Sequence, residues 1–155
     1  MRRKDREITE LDRIVDIMRR CDVCRVAFFD EEYPYIVPLN FGLEYQDNSL
    51  VLYFHGANAG KKLTLIQANN KVSFEMDCSH ELVTGDIACE YSMNYESVVG
   101  FGTIEILPNS EKIKALNAIM DKYTPKEDWS YNEKMLNSVA ILKLTVKQVT
   151  GKHRI

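Results

Sequence analysis

The sequence predicts a mainly β, α+β fold: a meander of antiparallel strands, closed or nearly closed, with a few flanking helices. Three observations carry that reading. Six runs rich in β-branched and aromatic residues are spread along the chain. Breaks such as Asp30-Glu31-Glu32-Tyr33-Pro34 and Gln46-Asp47-Asn48-Ser49 carry turn chemistry and are short enough for hairpins. Three stretches of helical periodicity accompany the strands, suited to covering barrel ends or edges.

In chain order, Leu11, Ile14, Val15, Ile17 and Met18 fall at helical spacing. Thr9 with Asp12 three residues on resembles a capping box, so a helix is expected over about 9 to 20. Strands follow at Val23 to Phe29, Tyr35 to Tyr45 and Leu50 to His55. A short helix spans Ala59 to Ala68, then strands run over Lys71 to Cys78 and Tyr91 to Leu107. The helix Glu111 to Tyr123 carries Ile113, Leu116, Ile119, Met120 and Tyr123 on one side, a stripe that reads as core or dimer packing. The last strand spans Ala140 to Val149.

At 155 residues, 45% of them apolar, the chain suits a single domain over 1–155 with one sizeable core. Twenty Lys and Arg against 23 Asp and Glu, a net charge of -3 and no long block of one sign argue against a nucleic-acid partner. Nothing in the sequence reaches the roughly 18 apolar residues of a membrane span. The charged start Met1-Arg2-Arg3-Lys4-Asp5-Arg6-Glu7 has no signal-peptide core behind it, so no membrane partner and a cytoplasmic location are expected.

The most informative segment is Tyr53-Phe54-His55-Gly56-Ala57-Asn58-Ala59-Gly60-Lys61-Lys62, a strand expected to stop at His55 and pass through two glycines into a helix. Gly56 and Gly60 permit close backbone approach, the helix start offers unpaired N–H groups, and Lys61 and Lys62 add two ammonium groups suited to a phosphate dianion. The alternative is that the glycines make the turn and the lysines sit on a solvated face. The spacing is not that of a Walker or Rossmann loop.

A second segment, Tyr33-Pro34-Tyr35-Ile36-Val37-Pro38-Leu39-Asn40-Phe41-Gly42, places Pro38 inside a strand. Proline cannot donate to a ladder, so an edge strand or a bulge is expected, leaving backbone groups for a ligand. Four motifs in order, Tyr-Pro-Tyr-x-Val-Pro-Leu-Asn-Phe, Leu-Tyr-Phe-His-Gly-Ala-x-x-Gly-Lys-Lys, Val-Ser-Phe-Glu and Tyr-Glu-Ser-Val-x-Gly-Phe-Gly, resemble the pyridoxamine-5'-phosphate-oxidase-like flavoproteins. Within them the chain is most similar to the branch that includes the nitroimidazole-resistance reductases. The likeness runs from about Arg2 to Thr150-Gly151-Lys152-His153.

This resemblance implies an FMN-binding split β-barrel, a homodimer with FMN at its interface and a small-molecule substrate. Carried over by position, Val37, Pro38, Leu39 and Asn40 would line the flavin ring. His55, Gly56 and Ala57 would run beside the ring and ribityl chain, and Gly60, Lys61 and Lys62 would hold the phosphate. Glu96, Ser97 and Val98 would approach a flavin across the interface; Glu96 stands where related sequences often carry arginine. Trp129 would either reach over the partner's flavin or anchor the loop 123–129. A planar flavin needs an apolar slot with a few placed hydrogen bonds. His55, the titratable group at the mouth of that slot, is the candidate catalytic proton donor; the alternative is a strand-end histidine that only hydrogen-bonds.

Cys21, Cys24, Cys78 and Cys89 are too few for a disulfide scaffold and are expected as free thiols. Cys21-Asp22-Val23-Cys24 has redox or zinc-knuckle spacing, and Cys78, His80 and Cys89 would complete a metal set, but no second Cys-x-x-Cys is present and no metal is expected. Asp77, Glu81, Asp86 and Glu90 read as a solvated rim, and Lys143, Lys147, Lys152 and Arg154 as surface charge. Three functions fit: an FMN oxidoreductase passing hydride from a nicotinamide donor to a nitroaromatic or quinone-like acceptor; a flavin-, haem- or deazaflavin-binding module without turnover; and pyridoxamine phosphate oxidation, which lacks a second cation cluster.

Overall fold

The computed structural model describes residues 3–124, 126 and 128–154; Met1 and Arg2 of the charged start, and Pro125 and Glu127 of the loop 123–129, lie outside them. The strands are β1 (Glu7–Ile8), β2 (Cys24–Phe28), β3 (Tyr35–Leu39), β4 (Gly42–Gln46), β5 (Ser49–Ala57), β6 (Lys71–Val83), β7 (Ser92–Ile106) and β8 (Val139–Arg154). The helices are α1 (Leu11–Arg20), α2 (Lys61–Ala68), α3 (Lys112–Tyr123) and α4 (Glu133–Ser138). All strand pairings are antiparallel, in the order β3-β2-β6-β7-β8-β5-β4, with β1 on β8.

The expected mainly β architecture is present, and its closure follows from one junction. β3 and β4 are the two ends of the sheet, yet only Asn40 and Phe41 separate them in sequence. Three Cα steps span at most about 11 Å, so the sheet must roll until its edges nearly meet. The edges do not pair with each other, which makes the barrel split. Inward residues of alternate parity fill it: Val26 and Phe28, Leu52 and Phe54, Phe74 and Met76, Val98 and Ile104, Leu142 and Leu144 are all buried. α1 adds Ile14, Val15, Ile17 and Met18 to that core, and α3 covers a smaller outer cluster of Tyr53, Leu107, Ala115, Ile119 and Ile141.

Several elements differ from expectation. The run Tyr35 to Tyr45 is two edge strands, not one: the Asn40 amide donates to the Asp22 carbonyl (3.2 Å) and the Phe41 N–H to the Tyr123 hydroxyl (3.1 Å), which turns the chain out of β3. Pro38 does lie on an edge, registered with Arg25 of β2. β5 does not stop at His55 but continues through Gly56 to Ala57, paired with β8. β6 runs on to Val83 and β8 to Arg154, because each finds a partner in β7. No capping box starts α1: its N-cap is Glu10, with no side-chain cap bond. On α3 the buried residues are Lys112, Ala115 and Ile119, while Ile113 is exposed. β1 and α4 were not anticipated; α4 is one short turn held by the Asn132 side chain, which accepts from the Lys134 and Met135 N–H groups. Among the described residues no helix is long and apolar enough to cross a membrane.

Candidate functional site

At the junction of β5 and α2 the two glycines of the sequence segment take different parts. Gly60, the N-cap of α2, has φ 130°, a conformation that side chains disfavour. Gly56 has a different task. A Cβ there would lie 2.7 Å from Lys62 Nζ, so the absence of a side chain lets the ammonium rest on the strand. The two lysines part company at this point. Lys61 turns away to Asp30 (2.5 Å), and its Nζ lies 5.3 Å from the centre of the Tyr35 ring on β3. The hydrogen bond from Lys61 holds the Asp30 carboxyl below its usual range, so that cation is already matched within the chain. The α2 start thus touches β5 through Lys62 and the first residue of β3 through Lys61. Beside them a cleft of about 480 Å³ opens at Gly60, between α2 and the residues Ile106 and Asn109.

Tyr35, Val37 and Leu39 turn toward the core, whereas Ile36, Pro38 and Asn40 are exposed. The Val37-to-Asn40 segment, further along the strand from the Tyr35 ring that Lys61 faces, offers an outer face and, among the described residues, an unpaired backbone edge, with the Asn40 amide already engaged at Asp22. His55 is exposed and registered with Ile141, and Ala57 is exposed with Val139 opposite. Trp129 is half-buried, its indole N–H donating to Asp121 (3.2 Å) on α3 with Lys126 over the ring, so within this chain it anchors its loop.

Glu96, Ser97 and Val98 do not join this group. Ser97 is registered with Lys152 of β8, while Gly56 is registered with Ala140. About twelve residues of β8, roughly 40 Å of strand contour, lie between those two rows. Val98 is wholly buried in the core, backbone and side chain alike. Glu96 forms an ion pair with Arg20, the last residue of α1, and accepts a hydrogen bond from Ser79 (3.0 Å). Arg20, hydrogen-bonding across to Glu96, holds that carboxyl below its ordinary range. A guanidinium is thus present beside Glu96, and α1 supplies it. Sequence reasoning missed Arg20 and Asp30, since pairs 76 and 31 positions apart leave no local pattern.

The remaining charges are mostly structural. Arg25 bridges Glu75 (3.1 Å) and Asp77 (2.5 Å), and Asp77 also meets His80 (2.7 Å); Glu81, Asp86 and Glu90 form the exposed rim. Among the described residues no cluster of three or more His, Cys, Asp or Glu is arranged to hold a metal. Cys21 and Cys24 are both buried, and burial pushes both thiols up.

The family model described as pyridoxamine 5'-phosphate oxidase matches residues 10–153. Among solved structures the chain is similar to a candidate 5-nitroimidazole antibiotic resistance protein from Bacteroides thetaiotaomicron. The two are 37% identical with a TM-score of 0.80, covering 95% of this chain and 86% of that one. A FAD-binding protein from Mesorhizobium loti is 25% identical with a TM-score of 0.64, covering 97% and 98%. A FAD- and haem-binding protein from Mycobacterium smegmatis shares the fold at 22% identity and a TM-score of 0.82, covering 96% and 73%. No curated protein sequence matches significantly. With a split barrel of this topology and a family match that spans nearly all of it, the chain belongs to the pyridoxamine 5'-phosphate oxidase family.

Proposed function

We propose that the protein is a flavin-dependent oxidoreductase, with FMN as its flavin, that works as a homodimer and reduces a small acceptor such as a nitroaromatic or quinone-like compound. The observation that carries this reading is the Lys62 ammonium laid over Gly56 at the start of α2, with Lys61 next to it over the Tyr35 ring of the edge strand β3. An ammonium and free helix N–H groups favour a phosphate, and an open strand edge supplies the few hydrogen bonds that orient a ring. When bound, the flavin would take hydride from a nicotinamide donor and pass electrons to the acceptor. The nitroimidazole-resistance relative supports the acceptor class, and the FAD-binding relative supports a flavin.

Two copies account for what one copy separates. Glu96 and Ser97 lie too far along the sheet to reach the Lys62 cradle of their own chain, so any share they take in a flavin site falls to a second subunit. β7 also presents an outward strip, Met93, Val99 and Phe101, each largely exposed. It continues onto a two-stranded arm: β6 and β7 pair as far as Val83 and Ser92, beyond the last pairings of β2 at Glu75 and of β8 at Tyr95. Leu82, Ile87 and Tyr91 are exposed there. A bare ribbon with an apolar face is marginal in water and reads as a contact surface.

The test is an absorption spectrum of the protein as purified, FMN titration of any colourless fraction, and chromatography of the released flavin to separate FMN from FAD. FMN bands or tight uptake, followed by donor consumption with a nitroimidazole, support the proposal. A haem Soret band, or flavin uptake with the donor unspent, moves the protein to a binding module. Exposed His55 is the proposed proton donor; unchanged turnover in His55→Gln with flavin retained would remove that role.

A further inference from the structure

We propose that Cys78 and Cys21 form a thiol-oxidation site, at which a hydroperoxide oxidises Cys78 and Cys21 resolves the product as a disulfide. The Cys-x-x-Cys of the sequence points to a different pair. Cys24 faces into the barrel from β2, registered with Leu39, whereas Cys21 caps the C-terminus of α1. The last turn of α1 rests on the irregularity of β6 that begins at Cys78, where Ser79 adopts φ 58°. Arg20 reaches the Cys78 sulfur at 3.9 Å, and Cys78 packs against the core cluster that holds Cys21. The Cys78 thiol also acts on Cys21, adding to the burial that pushes it up.

The surroundings divide the roles. The thiolate is the nucleophile toward peroxide, and a cation or a hydroxyl donor beside the sulfur favours it. The Arg20 guanidinium, which Glu96 shares, lies 3.9 Å from the Cys78 sulfur, and the Ser79 hydroxyl, which donates to Glu96, lies 3.6 Å from it. Cys78 is half-buried and so reachable by a small oxidant, while Cys21 is fully buried and shielded from direct attack by peroxide. In the first step the Cys78 thiolate attacks one peroxide oxygen; the S–O bond forms, the O–O bond breaks, sulfur is oxidised by two electrons, and the leaving oxygen departs as water or alcohol after taking a proton from solvent. In the second, the Cys21 sulfur displaces hydroxide from the Cys78 sulfenic acid, its proton leaves with that hydroxide as water, and the S–S bond forms.

The test treats the full chain with millimolar hydrogen peroxide, then alkylates, digests and sequences it by mass spectrometry, with thiols counted under denaturing conditions. The expected result is loss of two of the four thiols, a Cys21–Cys78 linked peptide and recovery of both thiols with dithiothreitol. Cys24→Ser and Cys89→Ser should keep the link, and Cys78→Ser should keep all its remaining thiols. A link between another pair, Cys78 taken to sulfinic acid with Cys21 still alkylatable, or four surviving thiols would overturn the proposal. The readout needs no flavin, so it stands or falls apart from the oxidoreductase reading.

Discussion

Gly56 and Lys62 behave as one unit, because the ammonium occupies the space a side chain at 56 would fill. The group displaced by Gly56→Ala is the flexible end of a lysine, so that variant should unfold within about 0.5 kcal/mol of the parent in urea, as ordinary surface changes do. Its FMN affinity should nevertheless fall with that of Lys62→Ala. A charge-assisted hydrogen bond is worth about 1.5–3 kcal/mol, so both should bind FMN roughly ten- to a hundred-fold more weakly in a fluorescence titration. Lys61→Ala should cost less, since that ammonium is already engaged by Asp30. Glu96 carries a pH signature. Its folded pKa is depressed by Arg20, so its stabilisation is fully present above the unfolded value and is lost as pH falls below about 4.3, the ordinary glutamate range. Glu96→Gln should flatten the acid side of the stability profile there, read by thermal melts between pH 3 and 6 in roughly half-unit steps. An acid limb as steep as the parent's would show that another carboxylate carries it.

At the scale of elements, the packing of α3 on β4 depends on Gly42. A Cβ there would come within 2.5 Å of the Ala118 and Ile119 backbone, which cannot rotate away as a side chain can. Gly42→Ala should therefore cost about 1–3 kcal/mol in urea unfolding, the usual range for overpacking. Turn chemistry and strand composition made most elements legible in advance: β2, β5, β7 and the three longer helices begin and end within a few residues of expectation. The failures share a cause. β6 and β8 overrun their apolar cores because β7 offers them partners, and the Tyr35 to Tyr45 run breaks because Asp22 and Tyr123, remote in sequence, claim Asn40 and Phe41. The stripe on α3 holds at Leu116 and Ile119 but not at the exposed Ile113, for a related reason: the buried line also takes in Lys112 and Ala115, and Lys112 is drawn inward by the carbonyls of Leu136 (3.0 Å) and Val139 (2.6 Å).

For the whole molecule, the outward strip of β7 leads to the remaining prediction. Phe101→Glu places a charge in the middle of the proposed dimer contact without touching the barrel core, since Phe101 is 48% exposed. Light scattering should show the parent at twice the chain mass and the variant shifted toward the monomer, with a circular dichroism spectrum unchanged. A parent at the chain mass would remove the shared site. The fold class, the edge position of Pro38 and the family were readable from sequence alone, because turn chemistry, strand composition and motif order are local properties of the chain. Which lysine Asp30 engages, which guanidinium meets Glu96 and which thiol acts on Cys21 were decided by tertiary structure alone. Each depends on residues brought together by the rolling of the sheet and the seating of α1 against β6, and long-range contact leaves no spacing to read.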